Sequence, residues 1–227
     1  CHKCIRACPV KSIRFADSQA KIIPKECILC GRCVVACPQN AKQVRNDLTE
    51  VMGAIGSGQR VIATLAPSFI SEFPVSGLEQ MAGYLKQLGF SDVRETAEGA
   101  YIVKSEYEKM IQEHRQDVII SSCCHTVVTL IQKYFPAVIP YIAPVQSPMA
   151  VSGRQIKDEY SDAYVVFIGP CISKKEEIEK VPGFVDCVLT FEELRRWFEQ
   201  RKIQVEPQQV QPQQGRVSRF FPRVGGI

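Results

Sequence analysis

Beyond about residue 58 the chain alternates short apolar runs with amphipathic stretches. Val61–Leu65, Val118–Ile120, Val165–Ile168 and Val185–Leu189 read as strands, since short unbroken apolar runs suit a sheet covered on both faces. Between them, apolar residues recur at helical spacing over 76–88, 102–114, 125–134, 147–158 and 190–202. Gly89 supplies a stop for the first of these helices. Thr190 and Glu193 give the last a capping box, in which each side chain satisfies the other residue's orphan backbone N–H. Strand–helix alternation of this kind predicts α/β layers with parallel strands. Residues 204–214, rich in Gln and Pro, read as a linker, and Arg223-Val-Gly-Gly-Ile227 as a turn entering further structure.

Length and composition set outer bounds. The 227 residues allow one large or two modest domains, and 45% hydrophobic with 23% charged residues is ordinary for a folded chain. No apolar run approaches the roughly 18 residues of a membrane span. No apolar stretch follows Cys1-His2-Lys3-Cys4 as it would in a signal peptide, so a cytoplasmic setting is expected. Residues 1–60 hold ten Lys/Arg against four Asp/Glu, a charge of +6, while the remainder carries −2. Without aromatic interleaving and at a pI near 8.5, that excess does not read as a nucleic-acid surface. It suits cations that offset anionic, thiolate-ligated clusters.

Cysteines change the picture most. Seven of the eleven, Cys1, Cys4, Cys8, Cys27, Cys30, Cys33 and Cys37, fall in the first 37 residues. Cys1-His-Lys-Cys4-Ile-Arg-Ala-Cys8-Pro9 repeats as Cys30-Gly-Arg-Cys33-Val-Val-Ala-Cys37-Pro38, displaced by 29 residues. The mate of Cys27 would lie before Cys1, so the chain is expected to be truncated at its N-terminus. Cys27-x2-Cys30-x2-Cys33-x3-Cys37-Pro38 is the bacterial two-cluster ferredoxin run, in which the fourth cysteine crosses to the other cluster. Cys27, Cys30, Cys33 and Cys8 are therefore expected to hold one 4Fe–4S cube. Cys1, Cys4 and Cys37 are expected to hold the other, one ligand short. Zinc knuckles also use C-x2-C pairs, but the paired Cys-Pro steps and the repeat favour iron–sulfur. Two clusters this close point to electron transfer.

Cys123 and Cys124 follow the run Val118–Ile120 and precede a helix, and Cys171 follows Val165–Ile168 within Gly169-Pro170-Cys171-Ile172-Ser173-Lys174-Lys175. Strand ends facing helix starts are where α/β sheets bind ligands and where thiolates are favoured. Thr64-Leu-Ala-Pro67-Ser68, Ser121-Ser-Cys123-Cys124 and Pro170-Cys171-Ile-Ser173-Lys174-Lys175, behind a two-cluster ferredoxin segment, resemble the iron-only (FeFe) hydrogenase family in its own order. That resemblance implies an α+β ferredoxin-like domain over 1–48. It further implies an α/β H-cluster domain with parallel strands over 59–227, incomplete at its C-terminus. It also implies an H-cluster, a 4Fe–4S cube joined to a two-iron subsite bearing CO and cyanide, in the full-length protein. By position, Cys124 and Cys171 would ligate the cube, Cys123 would relay protons, and Pro67, Ser68, Ser173 and Lys174 would contact the two-iron subsite. The family's remaining two cube ligands come from a later C-x3-C motif.

The sequence also departs from the family. His125-Thr126-Val127 stands where Pro-Gly-Trp is usual, Gly169 where Met precedes Pro-Cys, and Ser147-Pro148-Met149-Ala150 where Ser-Pro-Gln-Gln is usual. The relay glutamates belong in the 102–114 helix, and neither Glu106 nor Glu108 falls in a convincing register. These changes surround the pocket and are similar to the sensory branch of the family. Three readings follow. The first is a hydrogen- or redox-sensing regulator with a C-terminal signalling module. The second is a ferredoxin-linked FeFe hydrogenase that reversibly oxidises dihydrogen. The third is a plain electron-transfer protein with a vestigial H-site. Expected partners are an electron donor or acceptor protein, dihydrogen and protons, with neither nucleic acid nor membrane, in a reducing setting. Cys187 reads as a buried structural thiol, Trp197 as a helix anchor, His2 as a solvated loop residue and His114 as a helix-end cation. His125 could tune its cysteine neighbours, and Lys174–Lys180 reads as a solvated face apart from Lys174.

Overall fold

A computed structural model describes residues 1–206; most of the 204–214 linker and all of 223–227 lie outside the described residues. The chain opens with α1 (Lys3–Ala7), the hairpin β1 (Ile13–Ala16) and β2 (Gln19–Ile22), and α2 (Arg32–Val35). β1 and β2 pair antiparallel, turning through Asp17 and Ser18 at φ 51° and 59°, the doubly left-handed geometry that fits the twist of a two-residue hairpin. Their core is only Cys4, Cys8 and Ile13 with a few half-buried neighbours. So small an apolar core calls for metal or for the rest of the protein to hold it.

After a connecting stretch come α3 (Leu48–Gly56), β3 (Val61–Leu65), α4 (Phe69–Glu72), α5 (Leu78–Leu88) and β4 (Asp92–Glu95). There follow α6 (Thr96–Gln112), α7 (His125–Tyr134), a 3-10 turn at Pro136–Tyr141, α8 (Pro148–Glu159), β5 (Tyr164–Gly169), α9 (Lys174–Lys180), β6 (Cys187–Thr190) and α10 (Phe191–Gln200). The four later strands form one parallel sheet, ordered β4-β3-β5-β6. β3 and β5 are buried along almost their whole length, as unbroken apolar runs require. Met81 and Leu85 of α5 and Leu194, Trp197 and Phe198 of α10 join the sheet in one continuous core. The capping box at Thr190 and Glu193 is formed in both directions. The architecture is an α+β ferredoxin-like segment followed by α/β layers on a parallel sheet.

Local differences from the sequence reading have physical causes. Val118–Ile120 does not join the sheet: Ile120 makes a single parallel bridge to Ile142, and Val118 is 54% exposed. The place beside β3 is taken by Asp92–Glu95, which alternates inward Val93 and Glu95 with half-exposed Asp92 and Arg94 and so lacks an apolar run. α6 begins six residues earlier than its apolar spacing suggested, because its first turns bury the small residues Ala97, Gly99 and Ala100. The last strand is Cys187–Thr190 rather than Val185–Leu189.

Gly99 explains how closely α6 and α8 pack. A Cβ there would lie 2.5 Å from the Pro148 carbonyl oxygen and 2.8 Å from the Ser152 amide, with backbone on both counts. Beneath this crossing, the Thr64 hydroxyl is hydrogen-bonded to Thr96 (2.8 Å) and Ser152 (2.7 Å), satisfying three buried hydroxyls. Gly99→Ala gains about 1 kcal/mol of helix propensity. Overpacking against backbone costs about 1–3 kcal/mol and outweighs it. Denaturant unfolding is expected to show net destabilisation.

Candidate functional site

Residues 27–33 wrap one cavity. Leu29 and Gly31 adopt left-handed φ of 55° and 74°, which turns the chain sharply between successive thiols. Cys8, Cys27, Cys30 and Cys33 all line a cavity of about 270 Å³, to whose wall Ile172, Lys175, Glu176 and Glu179 also contribute. Backbone amides point at sulfur: Leu29 donates to Cys27 (3.4 Å) and Ser12 to Cys8 (3.3 Å). Burial pushes the Cys33 thiol up, helped by the nearby Cys27 and Cys30. Burial also acts on Cys8, but the Ser12 hydroxyl and the amides of Ser12, Val10 and Lys11 outweigh it and leave that thiol lowered. Four thiols around one cavity, two of them already accepting backbone amides, match the donor set of a thiolate-ligated 4Fe–4S cube, whose sulfurs accept such amides. Of the other set, Cys1 is exposed, Cys4 is buried and Cys37 is half-buried. Cys37 accepts from the Ala41 amide (3.3 Å), and amides at Ala41 and Gln39 lower its thiol. No hydrogen bond among the described residues joins these three sulfurs.

A second site forms where the sheet changes direction. The chain passes from β3 outward to β4, then returns to β5 on the other side of β3, so β3 and β5 flank a topological switch point. Their carboxyl ends carry Ala66-Pro67-Ser68 and Pro170-Cys171-Ile172-Ser173, tied together by the Ala66 amide on the Ile168 carbonyl (2.8 Å). Ser68 then stands immediately before α4 and Ser173 immediately before α9. Cys171 Sγ lies 3.0 Å from the Ser173 hydroxyl. Lys174 Nζ donates to the Cys123 carbonyl (3.3 Å) and to Glu177 (2.6 Å), bringing the Cys171 loop to Cys123 and Cys124. Cys124 is exposed and stands immediately before α7. Pro67 and Ser68 share this end of the sheet, but no hydrogen bond among the described residues joins them to Lys174 or Cys123. At Gly169 a side chain would strike the Phe167 ring at 2.7 Å, so the ring fills the space a larger residue would need.

The reading of Lys174–Lys180 as a solvated face apart from Lys174 holds for Glu179 and Lys180, which are exposed, and is corrected for Lys175 and Glu177, which are buried as Lys174 is. A basic and acidic run looks solvated in sequence, but here its charges are paired internally. Ser147, which caps α8 by accepting from the Ala150 amide (3.4 Å), also donates to Glu177, which holds Lys174. Lys175 spends its three N–H bonds on Asp47 (2.8 Å), Glu193 (3.0 Å) and the Val188 carbonyl (2.8 Å). Asp47 also takes Arg45 (2.8 Å), which reaches on to Glu179 and the Lys175 carbonyl. This buried network binds the stretch after the ferredoxin-like segment to the carboxyl end of the sheet.

Tyr107, which sequence reasoning missed, faces the site. Its phenol oxygen lies 3.5 Å from Cys123 Sγ, 3.2 Å from Ser121 Oγ and 3.1 Å from Ser122 Oγ. It also accepts from the Ser122 amide (3.0 Å). Burial, with the adjacent Cys123, pushes the phenol's pKa up. Glu106 and Glu108 point away, paired with Lys109 (2.8 Å) and Lys104 (3.4 Å). The spacing of Val103, Tyr107 and Met110, all buried, was the available signal: it defines the inner face of α6 and turns both glutamates outward.

The His125 ring is buried, 3.3 Å from the Thr129 hydroxyl, 3.7 Å from Glu176 and 3.9 Å from Glu177. Burial holds it below its ordinary pKa and hence neutral, against the pull of those carboxylates. Cys187 is buried with its sulfur toward the Asp47 carbonyl (3.8 Å), and burial pushes its thiol up to about 12, an inert structural role. His2 is exposed and edge-on to Phe15. His114 lies just past α6 with φ 48°. Trp197 is buried against Phe90.

Comparison with known proteins bears on the family and the fold. The family described as "Iron only hydrogenase large subunit, C-terminal domain" matches residues 59–227, and "4Fe-4S dicluster domain" matches 1–41. Iron hydrogenase 1 of Clostridium pasteurianum is 25% identical over 96% of this chain and 52% of its own length. Cytosolic iron-sulfur assembly component 3 of Mus musculus is 24% identical over 88% of this chain and 50% of its own. The chain thus spans about half the length of these relatives. The solved structure of the FeFe-hydrogenase HydA(deltaEFG), described in terms of stepwise H-cluster assembly, superposes with a TM-score of 0.62. That alignment has 23% identity and covers 74% of this chain and 51% of that one, which shows a shared fold. No helix among the described residues is long and apolar enough to cross a membrane. With a dicluster segment ahead of a matching H-cluster domain, the chain belongs to the iron-only (FeFe) hydrogenase family of iron–sulfur proteins.

Proposed function

We propose that the full-length protein is a cytoplasmic hydrogen- or redox-sensing regulator. In it a two-cluster domain over 1–48 exchanges electrons with an H-cluster domain beginning at 59, and the result is passed to a C-terminal signalling module. Cys27, Cys30, Cys33 and Cys8 hold one cube, and Cys1, Cys4 and Cys37 serve the other. Cys124 and Cys171 contribute to the H-cluster cube. When bound, the H-cluster supplies the chemistry that splits and forms dihydrogen. Lys174 has one N–H left after Glu177 and the Cys123 carbonyl, and that N–H would meet a cyanide ligand with a charge-assisted hydrogen bond. Ser173, Pro67 and Ser68 would contact the same two-iron subsite, and Cys123 would carry the proton.

The observation that carries the regulatory reading is Tyr107. A proton passing Cys123 meets a phenol with a raised pKa, not a carboxylate. A group that holds its proton at neutral pH relays poorly, and losing a matched acid or base costs about two to four decades of rate. Slow turnover suits a sensor. A similarity to cytosolic iron–sulfur assembly proteins also favours a role other than bulk hydrogen turnover. The retained Cys123, Ser173 and Lys174 favour the second reading, a ferredoxin-linked hydrogenase. Hydrogen evolution from reduced methyl viologen, measured on the anaerobically matured full-length protein, separates them. The regulator is expected to run about a hundredfold or more below the ordinary enzyme range of roughly 1–1000 per second. A rate inside that range favours the enzyme.

A further inference from the structure

We propose that Ile172 is the positioning residue that sets how closely the cube held by Cys8, Cys27, Cys30 and Cys33 approaches the H-site at Cys171; this rests on the cluster assignments above. Ile172 adjoins Cys171 in sequence, yet its side chain forms part of the wall of the four-thiol cavity. A Cβ on Gly31, at the middle of the Cys30–Cys33 turn, would meet Ile172 Cδ1 at 3.6 Å, ordinary van der Waals contact. One residue thus touches the wrapping of the first cube and is covalently joined to a ligand of the second.

Both sides of that contact are held. Behind Ile172, α9 is tied to the connecting stretch by Arg45 on the Lys175 carbonyl (3.2 Å) and Lys175 on Asp47 (2.8 Å). On the other side, α7, which begins just after Cys124, grips the strand of backbone leading into the thiol turn. Lys133 Nζ donates to the carbonyls of Cys27 (2.6 Å) and Pro24 (3.1 Å), and the Tyr134 hydroxyl donates to that of Glu26 (2.6 Å). Thus α7 holds the backbone entering the thiol turn, α9 holds the stretch that follows the ferredoxin-like segment, and Ile172 stands on the cavity wall next to Cys171. In the transfer step, one electron leaves the reduced cube, which is oxidised by one, and reduces the H-site by one; no bond forms or breaks.

The test uses the full-length protein with its clusters loaded. A deazaflavin flash photoreduces the dicluster segment, cube reoxidation is followed by visible absorbance, and arrival at the H-site by the shift of its CO infrared bands. Ile172→Ala is expected to slow transfer severalfold, because it removes the atoms that pack toward the Gly31 turn and leaves a gap in the cavity wall beside Cys171. Ile172→Val should slow it about twofold, and Ile172→Leu, which conserves volume, should restore it to near the parent rate. Cube potentials, read by an EPR titration, should stay unchanged across the series. Should the alanine variant fail to keep its cubes, the valine and leucine variants carry the comparison. Equal rates in variants with both centres loaded overturn the inference. A parent protein without CO or cyanide bands lacks the acceptor, and that result overturns the functional reading and the inference with it.

Discussion

Asp47→Ala is expected to destabilise the protein by about 3–5 kcal/mol, because it leaves the Lys175 ammonium buried with a partner removed. Lys175 has no spare route to water: its side chain is 5% exposed and its three N–H bonds end on Asp47, Glu193 and the Val188 carbonyl. The loss spreads further, since the Asp47 carboxylate also receives Arg45 (2.8 Å). Denaturant unfolding of the holoprotein reads the cost. The double variant Asp47→Ala, Lys175→Met should recover part of it, because the buried ammonium leaves with its partner while Glu193 keeps the amides of residue 47 and Thr190 and the Thr190 hydroxyl. A loss below about 1 kcal/mol for Asp47→Ala would place this network among surface pairs in energy, contrary to its burial.

Tyr107→Glu is the largest expected change in function. It places a carboxyl group among the Ser121 and Ser122 hydroxyls and near the Cys123 thiol, groups able to hydrogen-bond it directly or through one water. Hydrogen evolution should rise about a hundredfold, the lower end of what a matched acid–base group contributes. Tyr107→Phe, which keeps the ring and removes the hydroxyl, should give no rise. If Tyr107→Glu leaves the rate unchanged while the infrared bands of the site persist, proton delivery at residue 107 does not limit turnover.

Some elements of this structure can be read almost residue by residue. Short spacing between thiols forces tight wrapping, so the ferredoxin run declares Cys8, Cys27, Cys30 and Cys33 together, and these four do line one cavity. Unbroken apolar runs similarly declare β3 and β5, and the α10 capping box is local by nature. What escaped was decided by tertiary pairing. β4 is an edge strand whose Asp92 and Arg94 are half-exposed, so its sequence looks like a loop until β3 is beside it. The Lys174–Lys180 run looks solvated until Asp47, Ser147 and Glu193, distant in sequence, arrive to bury and pair it. Tyr107 lay within reach: one helical period of buried residues through Val103 and Met110 pointed it inward, but a tyrosine does not announce a proton path.

The infrared spectrum of the anaerobically matured full-length protein, recorded under argon and then under hydrogen, tests the central claim most directly. CO and cyanide bands that shift when hydrogen is admitted, and that vanish in Cys171→Ala while both ferredoxin-type cubes persist, are the predicted result. A spectrum without those bands, from a protein whose cubes are fully loaded, would contradict an H-site at Cys124 and Cys171 and leave electron transfer as its function.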